Sequence, residues 1–260
     1  MRLHWEDSGG AGPPVLLIMG LGMNATAWWR TIPALSEFLV ISFDNRGVGR
    51  SERTPGPYTA AQMADDAVSV LDAAGVDRAH VYGISLGGMI AQEVALRHPG
   101  RVRALVLGAT TRGGASSVPA APEVVAFVGL RAQMTAEHAV WASVPINYAP
   151  RTRVQGGDRI AADIAQRLRH PVEAEYYSAQ LAAANGHDAR VEDIRAPTLV
   201  VHGTEDILIP PANGERLAAA IPGAKLSLWP GAAHLYFTDV PEIDRFVARW
   251  LTERSTPGPS

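Results

Sequence analysis

Cysteine is absent from the 260-residue chain. That excludes disulfides and thiolate chemistry, and it fits a reducing compartment. Charge of one sign is also scarce. The net charge is -3 and charged residues make up 19% of the chain, so there is no electrostatic attraction towards nucleic acid or an anionic membrane surface. No apolar run is long enough to cross a bilayer, and Met1 to Asp7 lacks the apolar stretch of a signal peptide. These absences point to a cytoplasmic protein with neither a membrane nor a nucleic acid as partner. What remains is a 47% hydrophobic composition without repeats, enough for one sizeable core.

The apolar residues come in short continuous runs. Val15 to Met19, Phe38 to Phe43, Ala79 to Tyr82, Val102 to Gly108, Thr198 to His202 and Lys225 to Trp229 read as strands, with Arg2 to Asp7 as a short edge strand. Runs without alternation are those of strands covered on both faces. Helical stretches lie between them, including Ala60 to Ala74 (stopped by Gly75) and Met89 to His98 (stopped by Pro99). Strands alternating with helices predict a mostly parallel sheet with helices on both faces.

The alternation breaks after Gly108. Pro122 to Met134, Ala136 to Val144, Asp158 to Arg169 and Val172 to Ala184 read as helices, the last capped by Asn185-Gly186. Residues 113–193 are therefore expected to form a helical cap inserted into a core made of residues 1–112 and 194–260. A helix from Pro241 to Leu251 closes the chain, and the tail from Thr252 to Ser260, rich in proline and serine, is expected to be disordered.

One short stretch carries the chemistry. Gly83-Ile84-Ser85-Leu86-Gly87-Gly88 sits between a strand and a helix. In such a Gly-x-Ser-x-Gly turn the serine takes a strained backbone conformation, and the glycines leave room where a β-carbon would collide. A serine hydroxyl is a weak nucleophile unless a base lies in reach and a carboxylate orients that base. Among eight histidines, His80, His98 and His202 belong to core elements, where packing is the expected role, and His138, His170 and His187 fall in the insertion. His234 stands in Pro230-Gly231-Ala232-Ala233-His234, a loop of small residues leaving the last strand. In an open α/β sheet that edge binds ligands. Glu205 and Asp206 leave the preceding strand and are both available as the acid. For an oxyanion, Leu86 and Leu21 can offer backbone N–H groups, one at a helix start and one in the Gly20-Leu21-Gly22 turn.

These motifs, together with Phe43 to Ser51 and Gly203 to Pro210, resemble those of α/β-hydrolase-fold enzymes of the esterase, lactonase and cofactor-free haloperoxidase type. The likeness runs from about Val15 to Leu251. It implies Ser85, Asp206 and His234 as a catalytic triad, with the acid at Asp206 rather than Glu205, and it asks for no cofactor and no metal. Met19-Gly20 stands where many relatives have His-Gly, which suggests a more apolar site. Asp44 and Arg46 are expected to form a structural ion pair within their loop. Met23, Trp28, Phe127, Trp141, Tyr177 and Leu235 are expected to line a substrate pocket, apolar enough to disfavour charged acyl groups.

The implied activity is hydrolysis of a carboxylic ester or lactone of a small, largely apolar molecule. The same triad also serves C–C bond cleavage, enol-lactone opening or cofactor-free peracid chemistry. A hydrolase-like receptor that binds without turnover is a further reading, for which an altered triad would be the sign.

Overall fold

The computed structural model describes residues 1–255. Seven strands form one sheet: β1 (Trp5–Asp7), β2 (Pro14–Ile18), β3 (Leu39–Phe43), β4 (Ala79–Ile84), β5 (Val102–Gly108), β6 (Thr198–Gly203) and β7 (Lys225–Trp229). Their order is β1-β3-β2-β4-β5-β6-β7, with β1 antiparallel to β3 and the other pairs parallel. This is the sheet expected from the unalternating runs. On β2 the side chains divide by parity: Leu16 and Ile18 join one core cluster, while Val15 and Leu17 join the other. Each face is covered, so each needs apolar residues.

The chain runs from β2 outward to β3, then returns to β4 on the other side of β2. That reversal opens a crevice above the carboxyl ends of β2 and β4, whose register pairs Ile18 with Gly83. Helix Ala60–Ala73 is held by a capping box between Thr59 and Gln62 and ends at Gly75, where φ is +68°. Among the described residues no helix is long and apolar enough to cross a membrane.

Between β5 and β6 the chain forms helices Pro122–Leu130, Ala136–Ala142, Val144–Asn147, Pro150–Gln155, Gly157–Leu168 and Ala174–Asn185. Two of these, Val144–Asn147 and Pro150–Gln155, are too short to show a periodic pattern in the sequence. The two ends of this excursion meet in a bridge between Gly113 and Asp188. Ile160 and Ile164 are buried in the second core cluster, with Leu168 packed at its margin.

The helix that ends at Asn185 is capped by Gly186 as expected, with φ of -87°. Two local expectations are corrected. Asp44 and Arg46 do not pair with each other. Asp44 accepts from the amides of Ala25 and Arg50, both at 2.8 Å, and Arg46 grips Asp66 through Nε and Nη2. The expected disordered tail begins too early: Thr252 is the last residue of the helix from Glu242, and Ser255 Oγ bonds both the Leu251 carbonyl and His80 Nε2. Residues 256–260 of that tail lie outside the described residues.

Candidate active site

Ser85 closes β4 with φ 58° and ψ -123°, a left-handed conformation rare for a residue with a side chain. Close approach makes the flanking glycines necessary. A β-carbon on Gly83 would overlap the Gly87 carbonyl, and one on Gly87 would overlap the Ile18 carbonyl of β2. The turn is fastened through its own carbonyl, which accepts from the amides of Gly88 and Met89 and from Thr110 Oγ1 at 2.7 Å. Thr110, fully buried just after β5, has no motif to announce it.

Leu86 opens the following helix, where an amide has no partner within the helix. Among the described residues, neither its N–H nor that of Leu21 donates to a protein acceptor. The turn carrying Leu21 is held from both sides. Asn45 Nδ2 donates to the Met19 carbonyl at 2.9 Å, and the Gly22 amide donates to Gln180 Oε1 at 3.0 Å.

His234 is 2% exposed and donates from Nδ1 to Asp206 Oδ2 at 2.9 Å. Asp206 is equally buried, whereas its neighbour Glu205 faces solvent. The other oxygen of Asp206 accepts from the amides of Leu208 and Ile209, both at 2.9 Å. Burial alone would raise the Asp206 pKa. The charge of His234 and hydrogen bonds from His202 and His234 outweigh it and hold the carboxyl at about 2. His202 thus does more than pack: its Nε2 lies 2.8 Å from the Ile209 carbonyl and 3.3 Å from Asp206 Oδ2. The i, i+4 spacing of His202 and Asp206 across a strand end was the available signal.

Ser85, Leu21, Leu86 and His234 line one cavity of about 380 Å³. Ser85 Oγ makes no hydrogen bond to a described residue, which leaves it open to a ligand; catalytic hydrogen bonds are often loose in an unliganded site. Of the six residues assigned to a pocket, Met23, Tyr177 and Leu235 line this cavity, and Trp28, Phe127 and Trp141 do not. Trp28 is buried below it, 5.1 Å from the Tyr82 ring and 5.7 Å from that of Phe237. On helix Pro122–Leu130 the cavity is met by Val124, Val125, Val128 and Gly129, and Phe127 points away, about 200° round the helix from both Val125 and Gly129. Trp141 is 48% exposed on a helix whose buried residues are Ala139 and Val140. The wall is mostly apolar and also includes Arg131, Asn147 and Asn185.

Comparison with known proteins agrees with this architecture. Residues 13–139 match the family described as alpha/beta hydrolase fold. A protein of Variovorax paradoxus named "Putative carbamate hydrolase RutD" is 34% identical, the match covering 99% of each chain. Among solved structures, a hydrolase from Pseudomonas aeruginosa PA01 superposes with a TM-score of 0.84 at 29% identity, covering 96% of this chain and 94% of that one. An enol-lactonase from Burkholderia xenovorans LB400 superposes with a TM-score of 0.81 at 27% identity, covering 97% and 95%. The chain belongs to the α/β-hydrolase fold family. It is an enzyme, a hydrolase.

Proposed function

We propose that this hydrolase cleaves a carboxylic ester or lactone through Ser85, His234 and Asp206. The observation that carries this reading is the buried 2.9 Å contact from His234 to Asp206, with His234 opening into the cavity that the strained Ser85 also lines. An ionised Asp206 accepts only, so it selects the tautomer with the proton on Nδ1 and leaves Nε2 to act as base. In the reaction, Ser85 Oγ attacks the acyl carbon and its proton passes to His234 Nε2. The developing oxyanion takes hydrogen bonds from the amides of Leu21 and Leu86. Collapse expels the alkoxide, which receives the proton from His234. Water then attacks the acyl-enzyme, giving its proton to His234, which returns it to Ser85 Oγ as the acid leaves.

Residues 113–193 serve in this reading as a cap, supported by the placement of Val124, Val128 and Tyr177 on the cavity wall. A carbamate substrate is a second reading, favoured by whole-chain similarity to relatives so named; the same attack would give a carbamoyl-enzyme. The test is labelling with a fluorophosphonate alongside turnover of phenyl esters and phenyl carbamates. Labelling and turnover should vanish in Ser85→Ala, where losing the nucleophile typically costs on the order of a millionfold. Labelling that survives in the variant would place the nucleophile elsewhere.

A further inference from the structure

Arg131 follows helix Pro122–Leu130 and faces the same cavity as Ser85 and His234. Its guanidinium stacks on Tyr177, 4.7 Å from the ring centroid. Among the described residues it has no ion-pair partner, and its buried Nε has no hydrogen-bond acceptor. Among the described residues no aspartate or glutamate lines the cavity. Two other arginines beside the helical excursion and the loop after β3 are matched: Arg30 pairs with Asp163 at 2.9 Å and Arg46 with Asp66 at 2.6 Å. A small hollow beside the main cavity is bounded by Arg131, Gly22, Tyr177 and Arg167. Arg167 is only 5% exposed and shares a further hollow with Asp163, a buried residue of its own helix. Among the described residues it is therefore Arg131 that faces space lined by no carboxylate.

Burial disfavours the charge on Arg131 and draws its pKa below the usual arginine value; the Tyr177 hydroxyl opposes this and the nearby Arg167 adds to it. A cation withdrawn from water without a counter-ion is costly, and binding an anion offsets the cost. The position is close to the reacting centre. A β-carbon built on Gly22 would lie 3.7 Å from Arg131 Nη2, so the cation sits beside the turn that carries Leu21. One guanidinium faces an otherwise largely apolar cavity. Its planar fork and single charge match a carboxylate.

We propose that Arg131 forms an anion subsite, and that the substrate is a small ester or lactone carrying a carboxylate remote from the scissile bond. This rests on the serine-hydrolase reading above. The test compares phenyl monoesters of dicarboxylic acids from succinate to suberate, with the charge on the acyl side, and acetyl esters of ω-hydroxy acids, with the charge on the leaving side. Each acid is measured beside its neutral methyl ester. In one of the two series the acid should exceed its methyl ester in kcat/KM by about tenfold or more, equivalent to a single charge-assisted contact. Arg131→Gln should collapse that ratio, and Arg131→Lys should restore part of it. A preference for the methyl ester throughout, or a ratio that Arg131→Gln leaves in place, would overturn the subsite. Should Arg131→Gln fail to fold, calorimetric binding of the acids and methyl esters to Ser85→Ala decides the matter. Tighter binding of the acid supports the proposal and equal or weaker binding overturns it. Fluorophosphonate labelling of the unaltered enzyme separates the two failures: intact labelling with a methyl-ester preference removes only the subsite, whereas absent labelling removes the hydrolase mechanism.

Discussion

The amide of Gly22 donates to the side-chain oxygen of Gln180 at 3.0 Å, joining residues 158 apart in the chain. Gln180 is fully buried on helix Ala174–Asn185, and its Nε2 donates to the Arg46 carbonyl at 3.2 Å. One amide side chain therefore ties the helical excursion both to the turn that carries Leu21 and to the loop after β3. Because Leu21 offers one of the two amides assigned to the oxyanion, this contact links the excursion to the proposed chemistry.

Gln180→Leu keeps the volume and removes both hydrogen bonds. Leaving the Gly22 amide and the Arg46 carbonyl without partners costs about 1–3 kcal/mol each. If the contact positions Leu21, kcat for a neutral phenyl ester should fall by about tenfold or more with a smaller change in KM. Reduced thermal stability with kcat intact would assign Gln180 to structure alone.

Asp206 and Glu205 are adjacent in sequence and opposite in environment. Asp206→Asn should lower kcat by about four powers of ten, since the wrong histidine tautomer is then favoured. Glu205→Gln, altering a residue exposed to solvent, should remain within a few-fold of the parent. Turnover of one ester at fixed pH compares them, and a dead glutamine variant would reverse the assignment.

Thr110 holds the carbonyl of Ser85 in its strained turn. Thr110→Val preserves shape and deletes the 2.7 Å hydrogen bond. Two backbone amides still serve that carbonyl, so the loss in stability should be about 1 kcal/mol. Denaturant melts together with fluorophosphonate labelling rates measure the effect, and Thr110→Ser should recover both. A labelling rate unchanged in Thr110→Val would mean that the glycines and the helix suffice to hold the elbow.

Asp244 sets a pH dependence of stability. It is buried, accepts from Thr31 Oγ1 at 2.8 Å, and among the described residues has no partner on its Oδ1. Burial raises its pKa to about 7, against the opposing influence of the Thr31 hydrogen bond. From the ordinary aspartate value up to about 7 the unfolded chain has lost this proton and the folded one retains it. The unfolded state therefore binds fewer protons, and stability declines as pH rises through that window, by a few kcal/mol in total. Asp244→Asn should remove this part of the decline, so that the difference in Tm between variant and parent grows in the variant's favour from pH 4 to pH 8. A constant difference across that range would show that Asp244 is already ionised in the fold.

Some features follow from residues close together in sequence. The unalternating strands reflect two covered faces, and the glycines around Ser85 reflect backbone collisions within a few residues and with the adjoining β2. Both leave a local pattern. The order serine, acid, histidine and the position of each beyond a strand end could likewise be read from the sequence, because strands and breakers mark where each loop begins. Tertiary structure alone decided which side chains meet across the cavity. Val128 rather than Phe127 faces the cavity because of how the Pro122–Leu130 helix is rotated, which its almost uniformly apolar sequence leaves open. Gln180 reaches Gly22, Thr110 reaches Ser85, and Arg131 is left without an acid through packing between distant segments. Such contacts depend on where whole elements come to rest, and residue periodicity carries no record of that.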